Sequence, residues 1–273
     1  MSGDYQGAKY WSEVARRMKG RYHLDKLLCE QKKKVHLDLI RRWADVAGSQ
    51  MILKTDLFEE ALGLDQFLFE LAKVNGNVIG MDVSPIIASG AKRRAKQYGV
   101  DSGEYICCDV RHLPFKSNSI DLAISNSTLD HYSHKGDITV ALQELRRVLE
   151  PGGTLILTMD NKGNLTEPLF RFWISLGLAP FFSGKTYSIK ELKRAIEEIG
   201  FDVDDATAII HNPRFFTTKI VGLLHRLNAR KFDPIISKGL AFFDNLENKK
   251  TKYRTGLYIA VKAVKCETEQ TGQ

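Results

Sequence analysis

The apolar positions change rhythm along this chain, and each rhythm predicts a different element. Up to about residue 50 the pattern is helical, with Leu39, Ile40, Trp43 and Val46 on one face. Short apolar runs then alternate with amphipathic stretches. Met51-Ile52-Leu53, Val78 to Asp82, Glu104 to Cys108, Asp121 to Ser125 and Thr154 to Thr158 read as strands. Between them, Leu64 to Lys73, Ile86 to Tyr98 and Val140 to Leu149 read as helices, and Pro151-Gly152-Gly153 as a turn. The strands are apolar throughout rather than alternating, as strands buried on both faces are. The pattern predicts an α/β architecture, a parallel sheet wrapped by helices on both sides.

After residue 160 the rhythm loosens. Residues 165 to 185 are aromatic and poor in charge. Ser188 is placed to cap a helix carrying Ile189, Leu192, Ile196 and Ile199, which Gly200 ends. Phe201-Asp202-Val203 opens a strand, residues 215 to 248 read as helical, and Tyr253 to Lys265 reads as a last strand of the same sheet. The predicted organisation is an N-terminal helical extension (1–48), one domain (49–265) with cap elements around 165–190 and 212–248, and a flexible tail (266–273).

Composition narrows the classes. The chain has 273 residues, 43% of them hydrophobic and 27% charged, enough for a real core and ordinary for a globular protein. Forty basic against 33 acidic residues give a net charge of +7, and the densest basic run is Lys32-Lys33-Lys34, which reads as a solvated face. The longest stretch without Asp, Glu, Lys or Arg, Phe172 to Gly184, is too short for a spanning helix, which takes about 20 apolar residues. The N-terminal residues lack a signal-peptide core. Cys29, Cys107, Cys108 and Cys266 make neither a CxxC pair nor a His-linked metal spacing, so no metal site and a reducing, cytoplasmic compartment are expected.

In an open α/β sheet, ligands bind beyond the carboxyl ends of the strands, at the switch point in strand order. Asp82 ends the second predicted strand, where a carboxylate accepts two hydrogen bonds from a ribose diol. Asp109 follows the third, with Val110 next. That pair suits an adenine, the carboxylate taking the exocyclic amine while backbone and apolar side chain address the ring. Asn126 and Ser127 follow the fourth strand, and the first leads into the acidic segment Asp56 to Gly63. The cluster Asp130-His131-Tyr132 stands after the fourth strand, where a histidine serves as general base or as a structural residue.

The stretches CDVRHLPFKSNSIDLAISNSTLDHY from Cys108, ELRRVLEPGGTLILTMDN from Glu144 and VIGMDVSP from Val78 resemble the class I S-adenosylmethionine-dependent methyltransferases, in particular the methyltransferase type 11 domain. The resemblance covers roughly residues 50 to 205. It implies a Rossmann-like, doubly wound, seven-stranded and mostly parallel sheet that binds S-adenosyl-L-methionine and releases S-adenosyl-L-homocysteine. It also implies cofactor contacts at Asp82, Val83, Asp109, Val110, Asn126 and Ser127. The chain departs from the family at its first motif, an acidic residue and a G-x-G-x-G loop after the first strand. Family spacing from Asp82 sets the loop at Ala61 to Asp65, leaving Gly63 alone of three glycines and Glu59 as the acid. A second register runs the strand over Ile52-Leu53-Lys54 with Asp56 as the acid, and the sequence leaves both open.

The expected activity is methyl transfer to a small-molecule or lipid-like acceptor, with His131 as base. The alternative, motivated by the eroded loop, is a non-catalytic cofactor-binding or scaffold protein. Nucleic acid is disfavoured as a partner, because Asn126-Ser127-Thr128-Leu129 stands where base-amine methyltransferases carry an asparagine-proline-proline-aromatic motif. A nicotinamide enzyme would want GxGxxG after the first strand, and none is present. The aromatic segments (Phe170, Phe172, Trp173, Phe181, Phe182, then Phe215, Phe216, Leu223, Leu224, Phe242, Phe243) form either a cap burying its own core, or a lid or a peripheral membrane contact.

Overall fold

The computed structural model describes residues 7–20, 25–176, 182–227 and 230–266. Two helices, α1 (Ala8–Met18) and α2 (Lys26–Trp43), precede the sheet. Then follow β1 (Ile52–Lys54), α3 (Phe58–Leu62), α4 (Phe67–Val74), β2 (Val78–Asp82), α5 (Pro85–Gln97), β3 (Glu104–Cys107), β4 (Ile120–Asn126), α6 (Lys135–Val148) and β5 (Leu149–Asp160). The remainder is α7 (Glu167–Ser175), α8 (Ile189–Glu197), β6 (Phe201–Ile209), α9 (Arg214–Arg226), α10 (Asp233–Asp244), α11 (Lys252–Thr255) and β7 (Tyr258–Lys265). The tail after Cys266 and the side chains of Phe181, Phe215 and Phe216 lie outside the described residues.

All seven strands join one sheet in the order β3-β2-β1-β4-β5-β7-β6, an α/β doubly wound arrangement. β1 pairs parallel with β2 on one side and β4 on the other, so the switch point lies between β1 and β4. β7 runs antiparallel to both β5 and β6. Alternation along each strand feeds two cores. Ile52, Leu122, Ile124 and Ile156 meet α1, α2, α4 and α5 on one face. Leu53, Ala123, Leu155 and Leu157 meet α6 and α8 on the other. Both side-chain sets are apolar, hence the unbroken apolar runs in the sequence. A small third cluster, Leu28, Val221 and Leu240, fastens α9 and α10 to α2.

Three expectations change in detail. The Pro151-Gly152-Gly153 turn is absorbed into β5, where a register shift between Ile120 and Leu122 of β4 accommodates it. The helix expected from Leu64 begins at Phe67, because Asp65 is drawn into an ion pair with Lys32 and the Gln66 side chain turns back to the Gly63 carbonyl. The helical stretch 215–248 is divided, α10 starting afresh at Asp233-Pro234. The Ser188 cap stands as expected and completes a reciprocal box with Glu191.

Candidate active site

The carboxyl ends of β1, β2 and β4 open on one cleft. Next to its lining residues Thr55 and Asp56, Lys54 is fully buried at the end of β1. The Lys54 ammonium lies 2.9 Å from the equally buried Glu60 and 3.2 Å from Asp56, and it also donates to the Asp56 carbonyl. Burial lowers its pKa, but Asp56 and Glu60 outweigh this and hold it above the ordinary lysine value. Glu60 also accepts the Leu68 amide at 3.1 Å. The chain thus reverses direction after β1 around a buried ion cluster, without glycine. Thr55 donates to Ser125 at 3.0 Å and so ties this turn to β4 across the switch point.

Asp82 is the side chain the turn is built around. Its Oδ2 accepts the Leu57 amide at 3.2 Å and its Oδ1 the Ser84 amide at 2.8 Å, while Ser84 caps α5. Burial, and then the charge of Asp56, push its carboxyl up to about 7, against the pull of the two amides. Met81, Val83, Cys108 and Val110 continue this wall with apolar surface.

Across the cleft, Asn126 takes a 2.7 Å hydrogen bond from Thr158, and Ser127 sits in the left-handed region with φ 49°. Ser127 donates to the buried Asp130 at 2.7 Å, which also accepts the Asp160 amide at 2.8 Å. Burial, and then Asp160, raise Asp130 to about 6. His131 projects into the cleft, its Nδ1 2.8 Å from the Phe182 carbonyl and its ring edge-on to Trp11 at 4.7 Å.

Asp56, Glu59, Asp82, Val83, Val110, Asn126, Ser127 and His131 therefore share one cleft. Gly63 and Asp109 are not among the residues that line it. Gly63 closes α3, where its carbonyl accepts Arg94 at 2.9 Å and where a side chain would run into the Glu59 carboxylate. Asp109 is held by Arg111 at 2.6 Å, with Tyr132 donating at 3.3 Å, and Arg111 reaches on to Asp137 at 2.8 Å. Burial raises the Asp109 pKa, yet Arg111 outweighs it and keeps the carboxyl below its ordinary value.

Sequence reasoning missed Trp11, Lys32, Asp160 and Tyr258, which complete the walls. Lys32 reaches from α2 to within 2.9 Å of both Glu59 and Asp65. Its place in a lysine triplet reads as solvated, and only the helix orientation turns one of the three inward. Trp11 came from the segment read as an extension.

A strand-end carboxylate beside an apolar slot, at the switch point of a doubly wound sheet, is the arrangement in which open α/β sheets bind nucleotides. The family model described as "Methyltransferase domain" matches residues 59–157, beginning within α3. That match covers about a third of the chain, and together with the fold it supports a class I S-adenosylmethionine-dependent methyltransferase domain. The biotin biosynthesis bifunctional protein BioHC of Cellvibrio japonicus is 27% identical over 180 residues, 64% of this chain and 33% of that protein. A demethylmenaquinone methyltransferase of Chlamydia trachomatis is 34% identical over 104 residues, 36% of this chain and 44% of that protein. The chain therefore spans a third to under half of these two relatives. Among solved structures, a putative sarcosine dimethylglycine methyltransferase from Galdieria sulphuraria superposes with a TM-score of 0.58 at 15% identity, covering 86% of this chain and 85% of that one. The [4+2]-cyclase SpnF does so with 0.57 at 20% identity, covering 85% and 80%.

Proposed function

We propose that this chain binds S-adenosyl-L-methionine in the cleft and transfers its methyl group to a small-molecule or lipid-like acceptor. The observation that carries the reading is Asp82. Each oxygen is braced by one backbone amide, which leaves lone pairs for a ribose diol. The nucleoside half of the cofactor fits the residues present: Asp82 takes the ribose, and Met81, Val83 and Val110 offer apolar surface to the purine. Asp109 joins them as acceptor for the exocyclic amine only where Arg111 yields it. The amino-acid half meets a different surface from the family's glycine loop. Asp56, Asn126 and Ser127 are the groups for its ammonium, and Lys32 is the cation for its carboxylate.

The cofactor supplies the reactivity, because its sulfonium makes the methyl carbon electrophilic. The chain's own contribution is alignment for in-line displacement and exclusion of water by Trp11, Phe58 and Phe170. His131 holds the proton-transfer role. Donating Nδ1–H to the Phe182 carbonyl leaves Nε2 as the basic nitrogen, able to take a proton from an oxygen or nitrogen acceptor. A second, smaller cavity supports an acceptor with an apolar part. Leu28, Ile210, Leu240 and Leu257 line it, and it shares Lys32 and Tyr258 with the cleft. The demethylmenaquinone methyltransferase among the relatives agrees with such an acceptor. We assign this work to residues 49–265, with 1–48 as a helical extension and 165–190 and 212–248 as cap elements.

The test is release of S-adenosyl-L-homocysteine from S-adenosyl-L-methionine across a panel of polar and lipid-like acceptors, alongside a cofactor-induced thermal shift. Turnover with any member supports the reading. No shift at saturating cofactor overturns it, and a shift without turnover on any acceptor returns the non-catalytic reading.

A further inference from the structure

The outer faces of α9 and α10 combine two properties that a buried or freely solvated helix does not need. On α9, Ile220, Leu223 and Leu227 follow one another at helical spacing and are 56%, 59% and 69% exposed. On α10, Ile235 and Phe242 stand two turns apart and are 66% and 68% exposed. The inward faces of the same helices carry Val221 and Leu240, which are buried against Leu28 of α2, so the outward stripes are surplus to the core. Singly exposed apolar residues are ordinary, but two ordered stripes on consecutive helices are not.

Charge is sorted in the same way. Lys219 and Arg226 flank the α9 stripe, Lys238 lies within the α10 stripe, and Arg230 and Lys231 precede α10. From 214 to 244 the only carboxylates are Asp233 and Asp244. Both turn away from the exposed stripes: Asp233 bonds His225 at 2.7 Å, and Asp244 accepts from the Gln31 side chain of α2. The outer faces therefore present apolar side chains and cations, with no acid among the described residues there.

We propose that α9 and α10 dock this protein on the surface of an anionic lipid bilayer, apolar stripes in the acyl boundary and cations at the headgroups. A helix with an apolar face edged by Lys and Arg lies in the interface plane, and its affinity sums buried apolar area and attraction to anionic lipid. The charge pattern selects this occupant. A second copy of the chain would set these cations against themselves, and a nucleic acid would leave Leu223, Leu227 and Phe242 without a counterpart. The apolar cavity is lined by Thr218 of α9 and Leu240 of α10 and shares Lys32 and Tyr258 with the cleft, so docking would bring a lipid-like acceptor to the side of the molecule that holds it.

The test uses the full chain and extruded vesicles, of phosphatidylcholine alone or mixed with phosphatidylserine, with co-sedimentation as readout. The expected result is binding to the mixed vesicles, abolished in molar salt. Lys231→Gln with Lys238→Gln should weaken it about 25-fold, at about fivefold per charge. Leu223→Ser with Phe242→Ser should also weaken it, while melting temperature and circular dichroism stay as in the wild type. Failure to sediment with mixed vesicles overturns the proposal, and so does equal binding to both vesicle types. A dimer in ultracentrifugation that Phe242→Ser dissociates, without vesicle binding, would make this face a self-association surface instead. Docking needs no cofactor, so its failure leaves the methyl-transfer reading standing, and the reverse holds too.

Discussion

Replacing Asp82 by Asn probes the cleft at its most specific point. The carboxylate accepts two backbone amides, from Leu57 and Ser84. Asn keeps one acceptor oxygen and turns a donor toward the other amide, so one buried N–H loses its partner. That costs about 1–3 kcal/mol of stability. For the ligand, one hydrogen bond to a charged acceptor is worth about 1.5–3 kcal/mol, so S-adenosyl-L-homocysteine should bind roughly ten- to a hundredfold more weakly. The pH dependence has opposite signs for fold and ligand. The carboxyl is raised from its ordinary 3.8 to about 7 in the folded state. The stability this contributes is complete below the ordinary value and is lost as pH rises through 7. Ribose hydroxyls donate, so the ligand prefers the ionised form. Affinity should be highest above pH 7 and fall, by up to about tenfold per unit, as pH drops below it. Titration calorimetry at pH 6 and pH 8 on both proteins reads all of this. Wild-type affinity in the Asn variant, or one affinity at both pH values in the wild type, would refute the assignment of the ribose to this carboxylate.

Three further outcomes are expected. Lys54→Met leaves Glu60 buried without its counter-ion and should cost about 3–5 kcal/mol in urea denaturation. Much of that should return in the Lys54→Met/Glu60→Leu double variant, and a loss under 1 kcal/mol in the single variant would contradict the ion cluster (magnitudes as for buried pairs). His131→Asn should lower turnover by about 10²–10⁴ while leaving cofactor affinity nearly unchanged, as measured by initial rates and calorimetry. Undiminished turnover would remove the general-base role. His225 bridges Asp25 and Asp233 at 2.7 Å each, and bonds to these two carboxylates raise its pKa above the ordinary histidine value. Its contribution is complete below the ordinary value and lost as pH rises through the raised one. The melting-temperature gap between wild type and His225→Gln should therefore be wider at pH 5.5 than at pH 9, and a gap that widens upward would contradict the bridge.

The parallel sheet was legible because burial on both faces leaves unbroken apolar runs; strand ends pointed to Asp82 and to Asp109 with Val110, while Val83 entered only through the family resemblance. The first loop was not legible by counting. Its register was sought through glycines, whereas the chain turns on Lys54 and Glu60, six residues apart, whose pairing exists only once the backbone has reversed. Glu59 and Asp56 both reach the cleft, so the two registers competed for a distinction the folded loop does not make. Gly63 looked like a loop remnant because glycine was the expected chemistry, although its task is to leave room for the Glu59 carboxylate. Asp109 was named by position, and nothing in a linear string reveals that Arg111, two residues on, folds back over it. Trp11 and Lys32 lie before the sheet begins, where helical periodicity reports an apolar face but not what that face covers.

The insertion of β7 between β5 and β6 bears on how the protein comes into being. Among the described residues β6 pairs with β7 alone, about fifty residues further along the chain as it is synthesised. Until Tyr258 to Lys265 leaves the ribosome, the edge of β5 and the whole of β6 stand open as unpaired ribbons, at the stage when nascent chains aggregate. A chaperone that shields this edge, or a stop codon that deletes it, would act on yield well before it acts on chemistry.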